Sequence, residues 1–294
     1  MRYIMAEHKR TLPSRKGDQK ANKRVNESEL AAESKQLKLN ETTTVVQSVD
    51  LSGGQNAEMR RRLGEDFFTQ PCVALAKAFL GKVLVRRRED GTELRGRVVE
   101  TEAYLGGEDK ASHSAGGKRT ERNTAMFMKP GAIYVYPIYG VYLCMNVSSE
   151  GRRDGAAVLL RSLEPLQGHA VMRQLRAARR KDGARPLKDK ELCNGPSKLC
   201  QALDVPRRFD RRDLATDPEV WLEDADLSAG DAHDGVVVEA PRVGIESHGE
   251  WAKKPLRFYI RGNACVSVVD KVGERREDPP DLHRQNICNR TQMD

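Results

Sequence analysis

Two glutamates and a tyrosine stand at alternate positions, Glu100, Glu102 and Tyr104, in a stretch rich in β-branched residues. Because strand side chains repeat every two residues, all three are expected on one face. A carboxylate among apolar neighbours is costly unless it is paired. Each glutamate is therefore either the salt-bridge partner of an arginine such as Arg97 or Arg161, or a general base held in a partly dry cleft. Alternation alone leaves both readings open.

Four of the seven tyrosines of the chain fall within nine residues, at Tyr134, Tyr136, Tyr139 and Tyr142. Alternating tyrosines are typical of cross-strand packing. On a basic protein, aromatic faces also stack on single or flipped nucleobases. Pro137 cannot donate to a β-ladder, so this strand is predicted to be an edge or irregular strand. An exposed tyrosine there would suit a probe of a DNA groove.

The chain carries 51 Lys and Arg against 43 Asp and Glu, a net charge of +8, which favours polyanionic partners such as nucleic acid. Residues 195–198 open a predicted helix whose free N–H groups attract anions, and this makes Ser197 and Lys198 candidate phosphate contacts. An ordinary capped helix start explains the same pattern equally well. Eight basic residues between 173 and 190 suit either a solvated helix face or a phosphate-binding surface.

Metal and cofactor sites are not expected. His113 lies in a loop of small residues with no second ligand at metal spacing, and the six cysteines include no Cys-x-x-Cys pair. No apolar run approaches the roughly 18 residues of a membrane span, and the first residues lack the apolar core of a secretory signal. We therefore expect a soluble intracellular protein with no metal, no cofactor and no membrane partner.

The elements that would position these residues alternate without a βαβ rhythm, which predicts a single α+β domain. Asp90-Gly91 is a hairpin signal between strands predicted at 82–88 and 92–104. Further strands are predicted at 133–147, 156–163, 256–261 and 265–270, and helices at 66–79, 167–181 and from Gly195. The domain is expected to span 61–272. Residues 1–60, polar and basic with one aromatic, and 273–294 are expected to be disordered.

Nine short stretches, in order along 61–272, resemble the alkyladenine DNA glycosylase family, also called mammalian-type 3-methyladenine DNA glycosylases. They are residues 75–81 (LAKAFLG), 97–106 (RVVETEAYLG), 126–131 (MFMKPG), 134–136 (YVY), 139–140 (YG), 145–146 (MN), 158–161 (VLLR), 195–199 (GPSKL) and 255–259 (PLRFY). Each alone is weak, but the ordered set is specific. Pro137, Val141 and the loop 150–154 depart from the family pattern, which leaves the shape of the hairpin tip open.

The resemblance implies a mixed domain with a curved antiparallel sheet, surrounding helices and a protruding β-hairpin that enters the DNA minor groove. It implies a monofunctional glycosylase that flips a damaged purine and hydrolyses its N-glycosidic bond without a metal or a lysine nucleophile. The expected lesions are 3-methyladenine, 7-methylguanine, hypoxanthine and ethenoadenine, and removing them starts base excision repair.

The resemblance also implies roles for residues. Glu102 matches the general base that activates water, and Arg161 helps to place that water. Tyr139 matches the side chain that fills the gap left by the flipped base. The base pocket is expected to be built by Tyr104, His113, Tyr136, Asn146 and Leu159, and Met126 joins Ser197 and Lys198 among the predicted phosphate contacts.

The expected partner is double-stranded DNA containing damaged purines, bound by a monomer. Basic clusters in the N-terminal region suit nuclear import, and also suit a solvated tail; a mitochondrial fraction and repair partners bound through that region are compatible with it. Two other classes stay open: a nucleic-acid-binding protein without chemistry, and a metal-dependent phosphodiesterase using Glu100 and Glu102.

Overall fold

The computed structural model describes residues 62–138, 140–151, 153–225 and 235–275. The predicted tail 1–60, most of the predicted tail 273–294 and the predicted wedge Tyr139 lie outside these residues. Gly273–Arg275 form a 3₁₀ helix with Gly273 buried, so regular structure continues three residues past the predicted end of the domain.

One curled antiparallel sheet of eight strands organises the described residues. Its strands are β1 (Val83–Arg87), β2 (Glu93–Tyr104), β3 (Ile133–Ile138), β4 (Tyr142–Ser148), β5 (Ala157–Gln167), β6 (Val220–Glu223), β7 (Val237–Ala240) and β8 (Arg257–Ile260). The order is β3-β4-β5-β2-β1-β6, and β8 pairs with both β2 and β7. The long strand β2 is central because it pairs with β1, β5 and β8 along its length.

In the part of the chain that the structure describes, four α-helices pack around this sheet: α1 (Glu65–Phe68), α2 (Cys72–Ala78), α3 (His169–Ala177) and α4 (Pro196–Ala202). Short 3₁₀ helices lie at Glu121–Phe127, Asp189–Glu191, Arg207–Phe209 and Gly249–Ala252. These elements confirm the predicted α+β class. No helix among the described residues is long and apolar enough to cross a membrane.

The helix predicted at 66–79 is wrong as a single element. It is divided into α1 and α2 at Thr69–Pro71. A proline disfavours helical geometry in the residue before it, and Pro71 itself takes an extended ψ of 144° before α2 begins. Helix α2 packs on β2, where the Thr101 hydroxyl donates to the Ala76 carbonyl at 2.8 Å. The aromatic rings of Phe67, Phe68 and Phe79 meet edge-on or tilted at the same side of the core.

The strand predicted at 133–147 is a hairpin of β3 and β4. Ile138 pairs with Tyr142, so the chain reverses just beyond them, and Val141 at the turn is 62% exposed. Strand β3 is the edge of the sheet, as Pro137 predicted. Segment 210–213 covers the first half of that edge, because Ile133 exchanges backbone hydrogen bonds with Arg211 and Arg212, and the Val135 N–H donates to Asp210. The hairpin therefore presents only its far end, at Val141 and Tyr142, to solvent.

The strand predicted at 265–270 is not formed, because side chains satisfy its backbone. The Asn263 side chain accepts from the Cys265 N–H at 2.9 Å, and Arg257 donates to the Val268 carbonyl at 2.7 Å. The Tyr259 hydroxyl accepts from the Asp270 N–H at 3.0 Å. The β-branched residues of this segment favour a strand, but side chains from β8 and the turn after it bond to its backbone instead of a neighbouring strand.

Candidate active site

A cavity of about 400 Å³ opens where β2, β3, β4 and β5 lie side by side. Eight of the predicted site residues line it: Glu102, Tyr104, His113, Met126, Tyr136, Asn146, Leu159 and Arg161. The four strands supply six of them, a loop supplies His113, and the 3₁₀ helix at Glu121–Phe127 supplies Met126. Residues as far apart in the sequence as Glu102 and Arg161 are thus brought to one concave surface by the pairing of β2 with β5 and of β4 with β5.

Glu102 is fully buried within the protein and lies against three donors. The Val243 N–H donates to its Oε1 at 2.8 Å, and the Tyr104 hydroxyl donates to its Oε2 at 2.8 Å. The guanidinium of Arg161 lies 3.2 Å from Oε1. All three neighbours present N–H or O–H groups, so Glu102 is arranged as a hydrogen-bond acceptor at the cavity wall.

Glu100 is equally buried but lies in a different environment. Arg257 donates to its Oε1 at 2.9 Å, and the Arg161 Nε lies 3.1 Å from the same oxygen. Glu100 does not line the cavity. The register of β2 with β5 shifts on both sides of Glu100, so regular alternation, which predicted equivalent glutamates, does not hold there. Glu100 is a salt-bridge residue, whereas Glu102 faces the cavity.

Tyr104 couples the carboxylate to the cavity wall. Burial, followed by the neighbouring Glu102 carboxylate, raises the pKa of Tyr104 well above its usual value of 10. Its hydroxyl therefore stays protonated at neutral pH and can act only as the donor to Glu102. The guanidinium carbon of Arg242 lies 4.6 Å from the centre of its ring.

Three aromatic side chains form a second wall. The rings of Tyr134 and Tyr136 stack with centres 5.1 Å apart, and His113 meets Tyr136 edge-on at 4.6 Å. The His113 Nδ1 and the Tyr134 hydroxyl are 2.9 Å apart. Although His113 reaches the cavity surface, partial burial of its ring and then the charge of Arg122 lower its pKa to about 4. The imidazole is therefore neutral at physiological pH.

Asn146, Leu159 and Met126 are buried at the cavity floor. The Asn146 amide donates to the Tyr134 carbonyl at 3.1 Å, across the β3–β4 pair. Asn146 thus bonds to the backbone and also faces the cavity. The buried Met126 side chain packs with Tyr134, so a phosphate contact at Met126, still a prediction, would have to use its backbone.

The predicted phosphate contacts Ser197 and Lys198 lie in α4, outside the cavity lining. Lys198 is exposed, and its ammonium donates to the Asn194 side chain at 2.8 Å. The Ser197 hydroxyl lies 3.9 Å from the Cys144 thiol, which lines the cavity. The neighbouring Pro196 lines the cavity as well, so the start of α4 is at its rim.

Sequence reasoning missed several residues of the site. Val243, which donates to Glu102, and Lys110, an amine at the cavity, lie in loops without a motif. The buried pair Asp109–Arg242 joins residues 133 positions apart, which no local pattern reveals. The guanidinium of Arg122 lies 5.1 Å from the Tyr136 ring. In the sequence, only the basic charge of the chain together with the tyrosine cluster pointed to a cation there.

Among the described residues, no group of three or more His, Cys, Asp and Glu side chains is placed to hold a metal ion. At the carboxylates themselves, Oε1 of Glu100 and Oε1 of Glu102 already face guanidinium groups. A divalent cation there would have to lie beside Arg161, which disfavours the metal-dependent phosphodiesterase.

The model of the methylpurine-DNA glycosylase (MPG) family matches residues 66–264. The DNA-3-methyladenine glycosylase of Homo sapiens is 63% identical over 215 residues, which are 73% of this chain and 70% of that protein. Its counterpart in Mus musculus is 60% identical over 228 residues, 77% of this chain and 66% of that protein. That of Rattus norvegicus is 55% identical over 252 residues, 85% of this chain and 76% of that protein.

A curled antiparallel sheet whose cavity joins a buried carboxylate to tyrosine walls is, with these matches, that of a DNA glycosylase, a hydrolase of N-glycosyl bonds. The chain belongs to the methylpurine-DNA glycosylase family, which confirms the predicted family and its activity on alkylated purines. Such an enzyme acts on DNA and begins base excision repair.

Proposed function

We propose that this enzyme flips 3-methyladenine, 7-methylguanine, hypoxanthine or ethenoadenine out of double-stranded DNA and hydrolyses its N-glycosidic bond with a water activated by Glu102. The observation that carries the proposal is the position of Glu102, buried at the wall of a cavity whose other walls are Tyr104, Tyr136 and His113. A flipped nucleobase needs such flat faces to stack on. Hydrolysis at C1′ of its sugar needs a general base with a free lone pair that takes a proton from the attacking water.

The donors around Glu102 leave room for one water. A carboxylate has about four acceptor positions, and Val243, Tyr104 and Arg161 lie against three of them. A water in the remaining position would be held by the carboxylate at the edge of the cavity. In the reaction this water attacks C1′, Glu102 takes its proton, the glycosidic bond breaks, and the free base and an abasic site result.

Recognition is proposed to rest on the tyrosines. An N3- or N7-alkylated purine is a cation that leaves without protonation, and the faces of Tyr104 and Tyr136 attract a cation through the ring quadrupole. Burial raises the pKa of Tyr134 to about 12 and also raises that of Tyr136, so these rings stay neutral. Neutral hypoxanthine would bind by stacking alone and would leave more slowly.

DNA binding is proposed to use the hairpin and the rim of the cavity. Tyr139 would fill the gap left by the flipped base, while Ser197, Lys198 and the Met126 backbone would contact phosphates. Val141 at the hairpin tip is exposed, and the exposed Arg122 donates to the Pro137 carbonyl of the same hairpin at 3.4 Å while lying 5.1 Å from the Tyr136 ring of the cavity wall. We further propose that the enzyme is a monomer and works in the nucleus.

The decisive experiment is a gel assay on a duplex with one hypoxanthine, with and without EDTA. We expect alkali-sensitive sites that form equally in EDTA and are absent with Glu102→Gln. Direct nicks that disappear in EDTA would refute the water mechanism in favour of a nuclease. Binding without any product, with purified wild-type protein and also on a 3-methyladenine duplex, would leave only a binding function.

A further inference from the structure

A fully buried ion pair lies behind the cavity, between Asp109 and Arg242. The two guanidinium nitrogens of Arg242 donate to the two carboxylate oxygens at 2.6 and 2.8 Å, and both side chains are inaccessible to solvent. Nη1 of Arg242 also donates to the Ala103 carbonyl at 3.0 Å. The pair therefore joins strand β2, just beside Glu102, to two loops that line the cavity.

Each partner holds one of these loops. Asp109 accepts from the Leu105 N–H at 3.0 Å and from the Ala111 N–H at 3.1 Å, which closes the loop that carries Lys110 and His113 to the cavity. Arg242 directly precedes Val243, whose N–H donates to Glu102. The position of one donor to the carboxylate is thus set by the residue next to it.

Arg242 also holds the second donor. Its guanidinium carbon lies 4.6 Å from the centre of the Tyr104 ring, and the hydroxyl of that ring donates to Glu102 at 2.8 Å. A planar cation over the ring restrains its tilt. Two of the three donors around the proposed base therefore depend on one buried arginine.

Stability alone does not account for this pair. Removing two charges from water costs several kcal/mol, so a buried ion pair is often no more stabilising than apolar residues of the same volume. What such a pair does supply is fixed geometry, because a bidentate guanidinium allows a single orientation. Here that geometry is imposed on both Val243 and Tyr104.

We propose that Asp109 and Arg242 form a positioning pair that aligns the Tyr104 hydroxyl and the Val243 N–H on Glu102. The inference rests on the proposed role of Glu102 as the base. Arg242→Lys keeps the positive charge, but an ammonium cannot make the two parallel bonds to Asp109 while lying over the Tyr104 ring. We expect the single-turnover excision rate to fall about 10- to 100-fold, the scale of a misplaced catalytic group.

Two readouts separate positioning from general loosening. The enzyme concentration that gives half the maximal rate should rise by a smaller factor than the rate falls, because the pair reaches the lesion only through the Tyr104 ring and the loop of Lys110 and His113, while the other cavity walls are kept. Combined with Tyr104→Phe, Arg242→Lys should cost no more than Arg242→Lys alone, because loss of the arginine already misaligns the Tyr104 hydroxyl together with the Val243 N–H. If Arg242→Lys does not fold, Asp109→Asn with Arg242→Gln leaves no unpaired buried charge and permits the same measurements.

Arg95→Lys is the matched control, since Arg95 also makes a two-bonded pair, with Glu223, at a part of β2 away from the cavity. It should lower the melting temperature while leaving the rate unchanged. Equal loss of rate in Arg95→Lys and Arg242→Lys, or a wild-type rate in Arg242→Lys while Glu102→Gln is inactive, would overturn the positioning pair and leave the base in place. Full activity of Glu102→Gln would overturn the proposed function itself, and with it the pair.

Discussion

Replacing Glu102 by glutamine removes one negative charge and almost no volume, so its effect on the rate can be separated from its effect on folding. The amide oxygen can still accept from Val243 and face Arg161, and the amide nitrogen can donate to the oxygen of Tyr104 after its hydroxyl rotates. Arg161 keeps Glu100 as its other partner. Loss of charge-assisted bonds here should cost about 1–3 kcal/mol of unfolding free energy.

The chemical step responds much more strongly. An amide cannot take a proton from water, so Glu102→Gln should lower the single-turnover excision rate at least ~10²-fold, the usual contribution of a general base. The amide retains the shape of the cavity wall. Affinity for a lesion duplex, measured by titration with the inactive variant, should therefore stay close to that of the wild type.

Glu100→Gln should show the opposite balance. It removes the negative partner of Arg257 and one of the two partners of Arg161, while Glu100 itself stays outside the cavity lining. Breaking a buried pair on one side costs about 3–5 kcal/mol, which in a domain of this size lowers the melting temperature by about 6–20 °C. The excision rate at a temperature where the variant is folded should fall less than with Glu102→Gln.

The two variants are compared by single-turnover excision and by thermal unfolding in the same buffer. The argument requires that the ranking by rate be the reverse of the ranking by stability. If Glu100→Gln has the larger effect on excision among folded molecules, Glu102 is not the base. If Glu102→Gln is the more destabilising of the two, the donors around it serve the fold first.

Four further outcomes can be measured. Asn146→Ser should open the cavity floor, so excision of unmodified guanine from mispairs should rise while hypoxanthine excision persists; a proportional loss of both would make Asn146 only a support of Tyr134. Tyr139→Ser should weaken lesion binding far more than folding stability, and equal losses would contradict a wedge. Borohydride should trap no protein–DNA adduct; an adduct lost with Lys110→Met would show that this cavity amine attacks C1′. Because its lowered pKa of about 4 keeps His113 neutral, His113→Asn should remove no inflection from the rate profile between about pH 5.5 and 8.

Local patterns predicted the parts of the fold that local interactions determine. Asp90-Gly91 gave the β1–β2 hairpin because few other residues adopt that turn, and Gly195-Pro196 marked the start of α4. The segment 265–270 shows where such patterns fail. Its valines favour a strand, but its backbone is bonded by Arg257 and Tyr259, whose positions only the folded sheet sets.

In the candidate site, too, some residues could be predicted from local sequence and others could not. Glu102, Tyr136 and Asn146 face the cavity and were predicted, because each stands in a stretch of sequence that matches the family. The groups that orient them were not, because Val243 acts through its backbone and Arg242 through a partner 133 residues away. Backbone donors carry no residue-type signal, and a buried ion pair has no fixed spacing. A sequence therefore exposes the groups that meet a substrate sooner than the groups that hold them.

The charges behind the cavity bear on how a cationic lesion is chosen. Three carboxylates and three guanidiniums are buried there: Glu100, Glu102, Asp109, Arg161, Arg242 and Arg257. They balance, so the interior offers an alkylated purine no net negative charge. Attraction must then come from the tyrosine faces, which also stack on neutral bases. The exposed cations at the opening, Lys110 and Arg122, are suited to phosphates instead. Under the proposed function, separating the two tasks would let one cavity accept lesions of different charge, and the ease with which each base leaves would then discriminate among them.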